Sequence, residues 1–285
     1  MSLPVDSLSV SSIRTLRQCP ERWRRRYVER HYEPPSGPMV AGKAAGAAEA
    51  ASDHTWIETD APLSADDVLD VYSDEFDQAT AEEEVDWKGE RPATLKDSGA
   101  GALRVYHNTL IPETPKPIAV ERKAELTVEG ELDIEGESGE VVFVAYLDLE
   151  VADGTVIDRK LTKQRWSQEK ADADLQATAY LAARRAEADS AGAEPASGFA
   201  FDAMVRVQKP YAERVPTERT DEQLDDFLGR ILGAASEIAW RSETDHWDYA
   251  PDGAWWCSER SCGYWSSCPG GGLFRRRASE AARSG

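Results

Sequence analysis

The sequence is poor in cysteine and has no apolar run long enough to cross a membrane. Its 285 residues include 4 cysteines, too few for a disulfide scaffold in a chain of this length. No stretch approaches the roughly 20 apolar residues of a membrane-spanning helix, and residues 1–10 lack the basic and apolar regions of a signal peptide. These absences predict a soluble, cytoplasmic protein with no membrane partner.

Basic residues are also scarce, because 33 lysines and arginines face 53 aspartates and glutamates and leave a net charge of −20. This balance is the reverse of the one usual in nucleic-acid-binding proteins. Residues 49–86 contain 14 acids and no lysine or arginine, whereas residues 1–32 contain 7 arginines and 3 acids. A polyanionic partner would therefore be bound by local basic segments, and the acidic run is typical of a solvated helical surface.

The pattern of apolar residues predicts helices first and strands later. Helical spacing begins at Val10 and continues to about residue 110. After Pro112 the chain changes to alternating, β-branched segments, which predict strands. The predicted strands are 118–128, 141–151, 155–161 and 198–207, and the later helices are 167–187 and 221–241. This order predicts an α/β fold with a mixed central sheet and flanking helices.

Three regions are expected from this change along the chain. Residues 1–111 would form an N-terminal helical arm that contains Cys19, and residues 112–245 would form the α/β core. Residues 246–285 contain the other cysteines and end in a basic tail.

Two predicted strands joined by a tight turn concentrate aspartates and a lysine. Side chains two residues apart in a strand share a face, so Asp158 and Lys160 point the same way. If residues 152–154 form a three-residue hairpin loop with a left-handed glycine, Asp148 lies opposite Asp158. Two carboxylates and one ammonium group would then converge.

Facing carboxylates repel one another unless a cation lies between them, and oxygen ligands of this kind suit Mg²⁺ or Mn²⁺. Such a metal can orient and acidify a water molecule and stabilise charge on a phosphate. Lys160 would position that water or bind the phosphate. The alternative is an exposed hairpin with ordinary cross-strand charge pairs. The apolar neighbours of Asp158 in the sequence argue against it, because an unpaired acid in an apolar strand is costly.

The cysteines are unevenly placed, since Cys257, Cys262 and Cys268 lie close together and Cys19 stands alone. Four thiolates suffice for a [4Fe-4S] cluster or for a tetrahedral zinc ion. Zinc sites usually contain paired Cys-x-x-Cys knuckles, which this sequence lacks, and unligated buried cysteines are a third possibility. A site that includes Cys19 would close a long loop and staple the two termini together.

In their order and number, these features resemble the PD-(D/E)XK nuclease superfamily. The resemblance is to the RecB-like branch, which includes the CRISPR-associated RecB-family exonucleases and the AddB-type nuclease domains, and it spans nearly the whole chain. The motifs are weak one by one and specific together. The matching residues are Ser9 to Arg14, Cys19-Pro20, Trp23 to Tyr27, Glu121, Asp148, Asp158-Arg159-Lys160, Gln176, Tyr180 and the three C-terminal cysteines.

The resemblance implies a restriction-endonuclease-like fold and a Mg- or Mn-dependent deoxyribonuclease that hydrolyses phosphodiesters. In that family the residues matching Asp148 and Asp158 hold the metal, and Glu121 is a looser match. The residue matching Lys160 is catalytic. The family also implies a [4Fe-4S] cluster, with one cysteine before the nuclease core and three after it.

Gln176 and Tyr180 are four residues apart on the predicted helix that follows the hairpin, so both project toward a common target. Taken alone, such a pair is typical of a contact on a helix surface. The resemblance implies that this Gln-x-x-x-Tyr helix supports the catalytic site and contacts DNA.

One position departs from the family pattern. The family usually carries a metal-contacting histidine about four residues after a glycine of an early helix. Here Gly42 is followed at that spacing by Gly46, and the nearest histidine is His54. Either another ligand such as water or Glu49 completes the coordination sphere, or metal affinity and activity are reduced.

The function predicted in this way is an exonuclease on single-stranded DNA or DNA ends. It would serve recombination, repair, phage replication or CRISPR spacer acquisition, with recombination or CRISPR adaptation proteins as partners. A phage-encoded protein would act in the host cytoplasm. The alternatives are a catalytically weak DNA-binding or assembly subunit with the same fold, and a redox or zinc module without nucleic-acid chemistry.

DNA is expected along a groove formed by the N-terminal arginine-rich helices and the region from Lys160 to Arg185. The acidic segment 49–86 would be turned away from it. These basic side chains would otherwise form only ion pairs within the protein. The candidate contacts are Arg22, Arg24, Arg25, Arg26, Lys163 and Arg165.

Overall fold

The computed structural model describes residues 3–132, 138–192 and 194–271. Helices flank a five-stranded sheet with the strand order β1-β2-β3-β4-β5. Strands β2 and β3 are antiparallel, β3 and β4 are parallel, and β4 and β5 are antiparallel. The predicted α/β fold with a mixed sheet is therefore confirmed. Within the described ranges, no helix is both long and apolar enough to span a membrane.

The elements follow one another much as the sequence predicts, with helices before the sheet. The helices before it are α1 (Val10–Gln18), α2 (Pro20–Trp23) with a π-helical turn (Arg24–Val28), α3 (Gly37–Thr59), α4 (Ala65–Glu82) and α5 (Pro92–Thr109) with a 3-10 turn (Ile111–Glu113). The strands are β1 (Pro117–Glu131), β2 (Ser138–Val151), β3 (Thr155–Thr162), β4 (Gly198–Val205) and β5 (Tyr211–Thr217). The remaining helices are α6 (Gln168–Ala173), α7 (Leu175–Ala191) and α8 (Asp221–Thr244).

The chain divides into two compact units. The larger unit comprises Pro35–Leu126 and Val144–Gly229. The smaller unit comprises Met1–Pro34, Thr127–Phe143 and Arg230–Gly285. The three arginines of the C-terminal tail, 275–277, lie outside the described residues.

In the larger unit, small side chains let α3 pack closely against its neighbours. Ala41, Ala45 and Ala48 are fully buried and recur at the spacing of one helix face. They belong to the same apolar cluster as Tyr72 of α4 and Leu103 of α5. This packing sets α3 in place, and α3 carries the buried acids described below.

The segment predicted as one helix over 167–187 consists of two helices. The break falls at Asp174, whose backbone is extended (φ −76°, ψ 122°). The Asp174 side chain accepts the N–H of Gln176 at 2.8 Å and thereby caps α7. The apolar spacing of α6 continues into α7, so the sequence pattern could not reveal the break between the two helices.

Strand β5 was missing from the predicted elements. Its segment Tyr211–Thr217 is largely polar and contains Pro216, which lowers its strand propensity. It pairs with β4 in a register that includes Phe201 with Val215 and Asp202 with Arg214. The fifth strand is therefore fixed by tertiary pairing more than by its own composition.

In the smaller unit, two short helices, α1 and α2, meet at Cys19. Ser9 caps α1 by accepting the N–H of Ser12 at 3.2 Å. Trp23 is fully buried, and its indole Nε1 donates to Ser12 Oγ at 2.9 Å. Its ring stacks on Trp247 with centroids 5.6 Å apart. These contacts hold the start of the chain against residues that follow α8.

Candidate functional site

The β2–β3 hairpin has the register that brings the two aspartates together. Leu149 pairs with Ile157 and Glu150 with Val156, so Asp148 lies opposite Asp158. The loop closes at Gly154, which has φ +84° and donates its N–H to Val151 at 2.8 Å. Only glycine adopts this left-handed conformation at little cost, and it produces the three-residue loop expected from the sequence.

Asp158 is fully buried and its carboxylate is held on both oxygens. Its Oδ2 lies 2.6 Å from the Lys160 ammonium, and its Oδ1 accepts the amide of Gln176 at 2.6 Å. Lys160 Nζ also donates to Gln176 Oε1 at 3.0 Å, and Gln176 Nε2 donates to Tyr180 Oη at 2.7 Å. The side chains of Asp158, Lys160, Gln176 and Tyr180 are thus joined in one hydrogen-bonded group.

Burial dominates the electrostatics of this group. Desolvation raises the pKa of Asp158 to about 7, against the attraction of Lys160 and with a smaller contribution from the charge of Asp148. The pKa of Tyr180 is raised as well, chiefly by burial and then by the charge of Asp158. A cation near the two carboxylates would favour their charged forms and lower these pKa values.

Asp148 is less deeply buried and lies at the edge of a cavity. Its Oδ2 accepts the backbone N–H of Arg159 at 3.0 Å. The cavity, of about 220 Å³, is lined by Asp148, Glu121, Gly42 and Gly46 among other residues. Glu121 has φ +46° within β1, an uncommon conformation for this residue. At Gly46, where the family resemblance leads one to expect a histidine, an added Cβ would meet no atom within 4 Å.

The donor set fits a hydrated magnesium or manganese ion better than a closed cage. Within the residues that the structure describes, no three side chains of His, Cys, Asp or Glu are grouped so that they could hold a metal ion alone. Asp148 and Asp158 form a facing pair, and Glu121 shares the cavity with Asp148. Mg²⁺ is usually bound by one or two carboxylates and keeps water or substrate phosphate oxygens as its other ligands.

Sequence reasoning missed a second group of buried charges on the other face of β3. Arg159 Nη1 pairs with Asp53 Oδ2 at 2.5 Å, and Arg159 Nε donates to Tyr106 Oη at 2.9 Å. Tyr106 donates to Asp202 Oδ2 at 3.2 Å, and Arg214 contacts both oxygens of Asp202 at 2.7 Å. Two signals were available: Asp202 interrupts the apolar strand β4, and Asp53 follows Glu49 by four residues on an alanine-rich helix.

Glu49 belongs to this second group. Its relative exposure is 0%, and neither of its carboxylate oxygens has a hydrogen-bond partner. Burial raises its pKa to about 8, opposed by the charge of Arg159 and reinforced by those of Asp53 and Asp202. Glu49 therefore stays protonated near neutral pH, which makes it a poor substitute for a metal-binding histidine.

The N-terminal arginines proposed to contact DNA have partners within the smaller unit. Arg22 pairs with Glu33 at 2.7 Å. Arg24 and Arg25 pair with Glu21 at 2.8 and 2.7 Å. Arg26 lies over two rings, those of Tyr27 and Tyr32, at 5.8 and 5.7 Å from their centroids. These contacts correspond to the alternative of ion pairing within the protein.

The other two candidates for DNA contact are in the larger unit and are more exposed. Lys163 Nζ lies 2.7 Å from Glu90, and its side chain is 53% exposed. Arg165 Nε lies 3.5 Å from Glu213, and its side chain is 76% exposed. Exposed pairs of this kind contribute little to stability, so both cations could exchange their partners for phosphates at small cost.

The four cysteines are free thiols of the smaller unit and influence one another electrostatically. Burial raises the pKa of Cys257 to about 11, and the charges of Cys19, Cys262 and Cys268 raise it further. The pKa of Cys19 is also raised, first by burial and then by Cys268 and Cys262, against a hydrogen bond from the backbone of Arg22. Cys19, Cys257 and Cys262 thus each sense the charge of other cysteines, but no three of the described His, Cys, Asp or Glu side chains are grouped closely enough to hold a metal ion.

The end of the cysteine segment is tied to the start of the chain by hydrogen bonds within the smaller unit. Trp256 Nε1 donates to the carbonyl of Gln18 at 3.1 Å. Tyr264 Oη donates to the carbonyl of His31, and Arg25 Nη1 donates to Ser267 Oγ at 3.2 Å. Residues 256–267 therefore contact residues 18–31 within the smaller unit.

Comparison with known proteins identifies one family. A model of the PD-(D/E)XK nuclease superfamily matches residues 7–269. No curated protein matches the chain. A crystal structure from Eubacterium rectale, described as a "putative exonuclease", has a TM-score of 0.52 and 13% identity and covers 86% of this chain and 84% of its own. A second structure, described as SSO0001, has a TM-score of 0.30 and 11% identity, with 85% and 88% covered.

Proposed function

The chain belongs to the PD-(D/E)XK nuclease superfamily, and from that premise we propose that it is a metal-dependent exonuclease of the RecB-like branch, acting on single-stranded DNA or DNA ends. One observation carries the proposal: Asp148 and Asp158 face each other across a hairpin, with Lys160 and Gln176 hydrogen-bonded beside them. Such a group of two acids, an ammonium and an amide is suited to hydrolysis of a phosphodiester.

In this proposal, Asp148 and Asp158 hold Mg²⁺ or Mn²⁺, and Glu121 supplies a further oxygen from the same cavity. A bound metal of this kind polarises the phosphate and lowers the pKa of a water molecule. Lys160 places a positive charge 2.6 Å from Asp158, where it can stabilise the negative charge that builds up on the phosphate.

The residues of helix α7 orient this machinery. Gln176 accepts from Lys160 with its amide oxygen and donates to Asp158 with its amide nitrogen, so it fixes both side chains at once. Tyr180 accepts from the same nitrogen at 2.7 Å. Because α7 starts at the Asp174 cap, the break between α6 and α7 places Gln176 in the first turn, directly beside β3.

We also propose that Cys19, Cys257, Cys262 and Cys268 hold a [4Fe-4S] cluster that staples the termini, with zinc as the alternative. Thiol ligands suit a soft cation chemically: burial and then neighbouring cysteines raise the pKa values of Cys19 and Cys257, and a bound metal would offset this by stabilising the thiolates. Purified protein that is brown favours the cluster. Colourless protein with one equivalent of zinc favours the alternative.

A structural neighbour supports the exonuclease mode. The E. rectale protein described as an exonuclease shares the fold over most of both chains. The proposed settings are recombination, repair, phage replication and CRISPR spacer acquisition, with proteins of those pathways as partners. A catalytically weak DNA-binding subunit is the second candidate, and Gly46 in place of a metal-binding histidine favours it.

Digestion of end-labelled single-stranded DNA with Mn²⁺ tests the proposal. We expect wild-type protein to release short products from linear strands and to leave circular single strands intact, and Lys160→Ala to release none. Cutting of circles would identify an endonuclease. DNA binding by wild type without digestion at any Mn²⁺ concentration would favour the second candidate.

A further inference from the structure

Arg159 stands between the two motif residues of β3 and connects the two faces of that strand. Asp158 and Lys160 project to one face, and the alternation of strand residues sends the Arg159 side chain to the other. Its side chain is only 4% exposed. At the same time its backbone N–H donates to Asp148 Oδ2 at 3.0 Å. Arg159 also lines the cavity that Asp148 and Glu121 share. It therefore borders the candidate metal site, contacts it through its backbone N–H, and contacts the helical layer through its side chain.

The guanidinium of Arg159 is anchored by two different helices. Asp53 of α3 pairs with Nη1 at 2.5 Å, and Tyr106 of α5 accepts from Nε at 2.9 Å. Tyr106 is held in turn by Asp202 of β4 at 3.2 Å. Arg159 also lies over the Tyr106 ring, 5.8 Å from its centroid. These contacts restrict rotation of β3 about its own axis.

The charged side chains around Arg159 form a group in which opposite charges offset one another but whose burial costs desolvation energy. Arg159 and Arg214 offset Asp53 and Asp202, while Glu49 is kept neutral by its burial. Buried ion pairs of this kind add little net stability, because desolvation cancels much of their attraction. They do fix orientation, since each charge accepts only a narrow range of partner positions. The group is thus better explained as a positioning device than as a source of stability.

We propose that Arg159 is a positioning residue of the metal site: Asp53 and Tyr106 hold its side chain, and its backbone N–H thereby holds the Asp148 carboxylate toward Asp158. The inference rests on the proposed function, because it assigns Asp148 to a metal. Without the anchors, β3 could rotate slightly, the amide would leave Asp148 Oδ2, and the two carboxylates would no longer present their oxygens together. Outer residues that orient metal ligands typically change affinity by about 10- to 100-fold when altered.

The test uses Tyr106→Phe and Arg159→Lys in the full-length protein. The first removes one hydroxyl and keeps the ring, and the second keeps the charge but loses the planar fork. Arg206→Lys is the matched control, since Arg206 is another buried arginine of the larger unit, with Nη1 3.3 Å from Glu90. Calorimetry would measure Mn²⁺ affinity in the absence of DNA. Amide hydrogen exchange would measure protection of the Arg159 N–H.

We expect both test variants to bind Mn²⁺ about tenfold or more weakly and to exchange the Arg159 amide at least tenfold faster. Arg206→Lys should change neither quantity while losing similar thermal stability. Wild-type Mn²⁺ affinity and wild-type amide protection in Tyr106→Phe and Arg159→Lys would overturn the inference, whatever their stability. If wild-type protein itself binds no Mn²⁺, the proposed function fails, and amide exchange still decides whether the anchors hold Arg159.

Discussion

The two candidate metal sites differ in how far the protein itself compensates their charge. At the hairpin, Lys160 and Gln176 hold both oxygens of Asp158, and a backbone N–H holds Asp148. Among the cysteines, burial raises the pKa values of Cys19 and Cys257, and neighbouring cysteines raise them further. The hairpin is therefore preorganised by its own hydrogen bonds, whereas the proposed cluster would itself have to offset the repulsion among the cysteine thiolates.

This difference has a structural cause. The hairpin site is built from neighbouring strands and a helix whose backbone hydrogen bonds set the geometry before any ligand arrives. The cysteines come from Cys19 at a helix junction and from a C-terminal segment of short turns. Loss of the metal should therefore abolish chemistry at the first site and stability at the second.

The largest expected effect is on catalysis at the hairpin. Asp158→Asn and Lys160→Ala should each lower the cleavage rate about a thousandfold or more, because a ligand or a positive charge is lost where the phosphate reacts. The measurement is single-turnover digestion of end-labelled single-stranded DNA with Mn²⁺. Asp153→Asn, in the exposed turn of the same hairpin, should cleave at close to the wild-type rate. Cleavage by Lys160→Ala at the wild-type rate would refute the catalytic assignment.

The next effect is on stability at the cysteines. Cys19→Ser should lower the free energy of unfolding by several kcal/mol, because metal binding energy at a structural site is folding energy. Hydrogen exchange should rise first in α1 and α2, while β3 keeps its protection. EDTA, which removes Mg²⁺ or Mn²⁺, should leave the melting temperature nearly unchanged. Equal protection of α1 in Cys19→Ser and wild type would mean that the cysteines hold no staple.

A third effect is expected in the pH dependence of stability, which distinguishes a buried, protonated Glu49 from an ionised carboxylate that could bind a metal. Unfolded, Glu49 ionises near pH 4.5, whereas in the folded protein it keeps its proton up to about pH 8. The folded state thus holds the extra proton in this window, so stability falls as pH rises through it. Glu49→Gln cannot ionise, and it should be more stable than wild type by roughly 2 to 5 kcal/mol above pH 8, with little difference near pH 4.5.

Chemical denaturation at pH 5, 7 and 8.5 measures this difference. Glu58→Gln provides the control, because Glu58 lies on the same helix and is exposed. A stability difference for Glu49→Gln that does not grow with pH would show that Glu49 is ionised in the folded protein. In that case Glu49 could return as a candidate metal ligand.

The parts of the fold and site that neighbouring residues determine could be predicted from the sequence, whereas those that depend on residues distant in sequence could not. The hairpin was predictable because alternation along a strand and one left-handed glycine fix the facing of Asp148 and Asp158 locally. The spacing of four positions from Gln176 to Tyr180 likewise fixes their shared face. The family resemblance, confirmed over residues 7–269, added the roles proposed for them.

The buried group around Arg159 could not be predicted because its partners are distant in sequence. Asp53 is 106 residues away and Tyr106 is 53 residues away. The spacing of Glu49 and Asp53 on the alanine-rich helix α3 was a signal of buried charge, but it does not identify Arg159 as the partner. The break at Asp174 and the edge strand β5 were missed for a similar reason: capping and cross-strand pairing override a periodic or polar sequence.

A smaller effect, on metal affinity, is expected at Gly46, the position where the family pattern has a histidine. Gly46 lines the cavity with Asp148 and Glu121, and a side chain there would meet open space. Gly46→His should therefore add an imidazole ligand and raise Mn²⁺ affinity about tenfold, with higher activity at low metal concentration. Gly46→Ala, which fills the same position without a ligand, should leave the affinity unchanged. Equal affinities of the two variants would place the metal away from this cavity wall.

The smallest effect is expected at Lys163 and Arg165, the proposed DNA contacts of the larger unit, because both side chains already pair with acids. Reversing Lys163 and Arg165 to glutamate removes two proposed phosphate contacts, and affinity for single-stranded DNA should fall severalfold. The slope of log affinity against log salt should shrink by about 1.4, since each contact contributes about 0.7 on a single strand. Glu90 and Glu213 lose one ion pair each, but Glu90 still pairs with Arg206 and Glu213 still accepts the N–H of Trp166. Exposed pairs such as the two that are lost are worth about 1 kcal/mol at most.

The control must change the net charge equally, because the protein is already strongly acidic and any added negative charge repels DNA. Reversal of Arg104 and Lys116 meets this requirement, since both are exposed and paired with acids, Asp66 and Asp60, in the same unit. It should lower the affinity slightly and leave the salt slope unchanged. If both double variants shift affinity and slope alike, the effect is one of total charge, and Lys163 and Arg165 do not contact the strand.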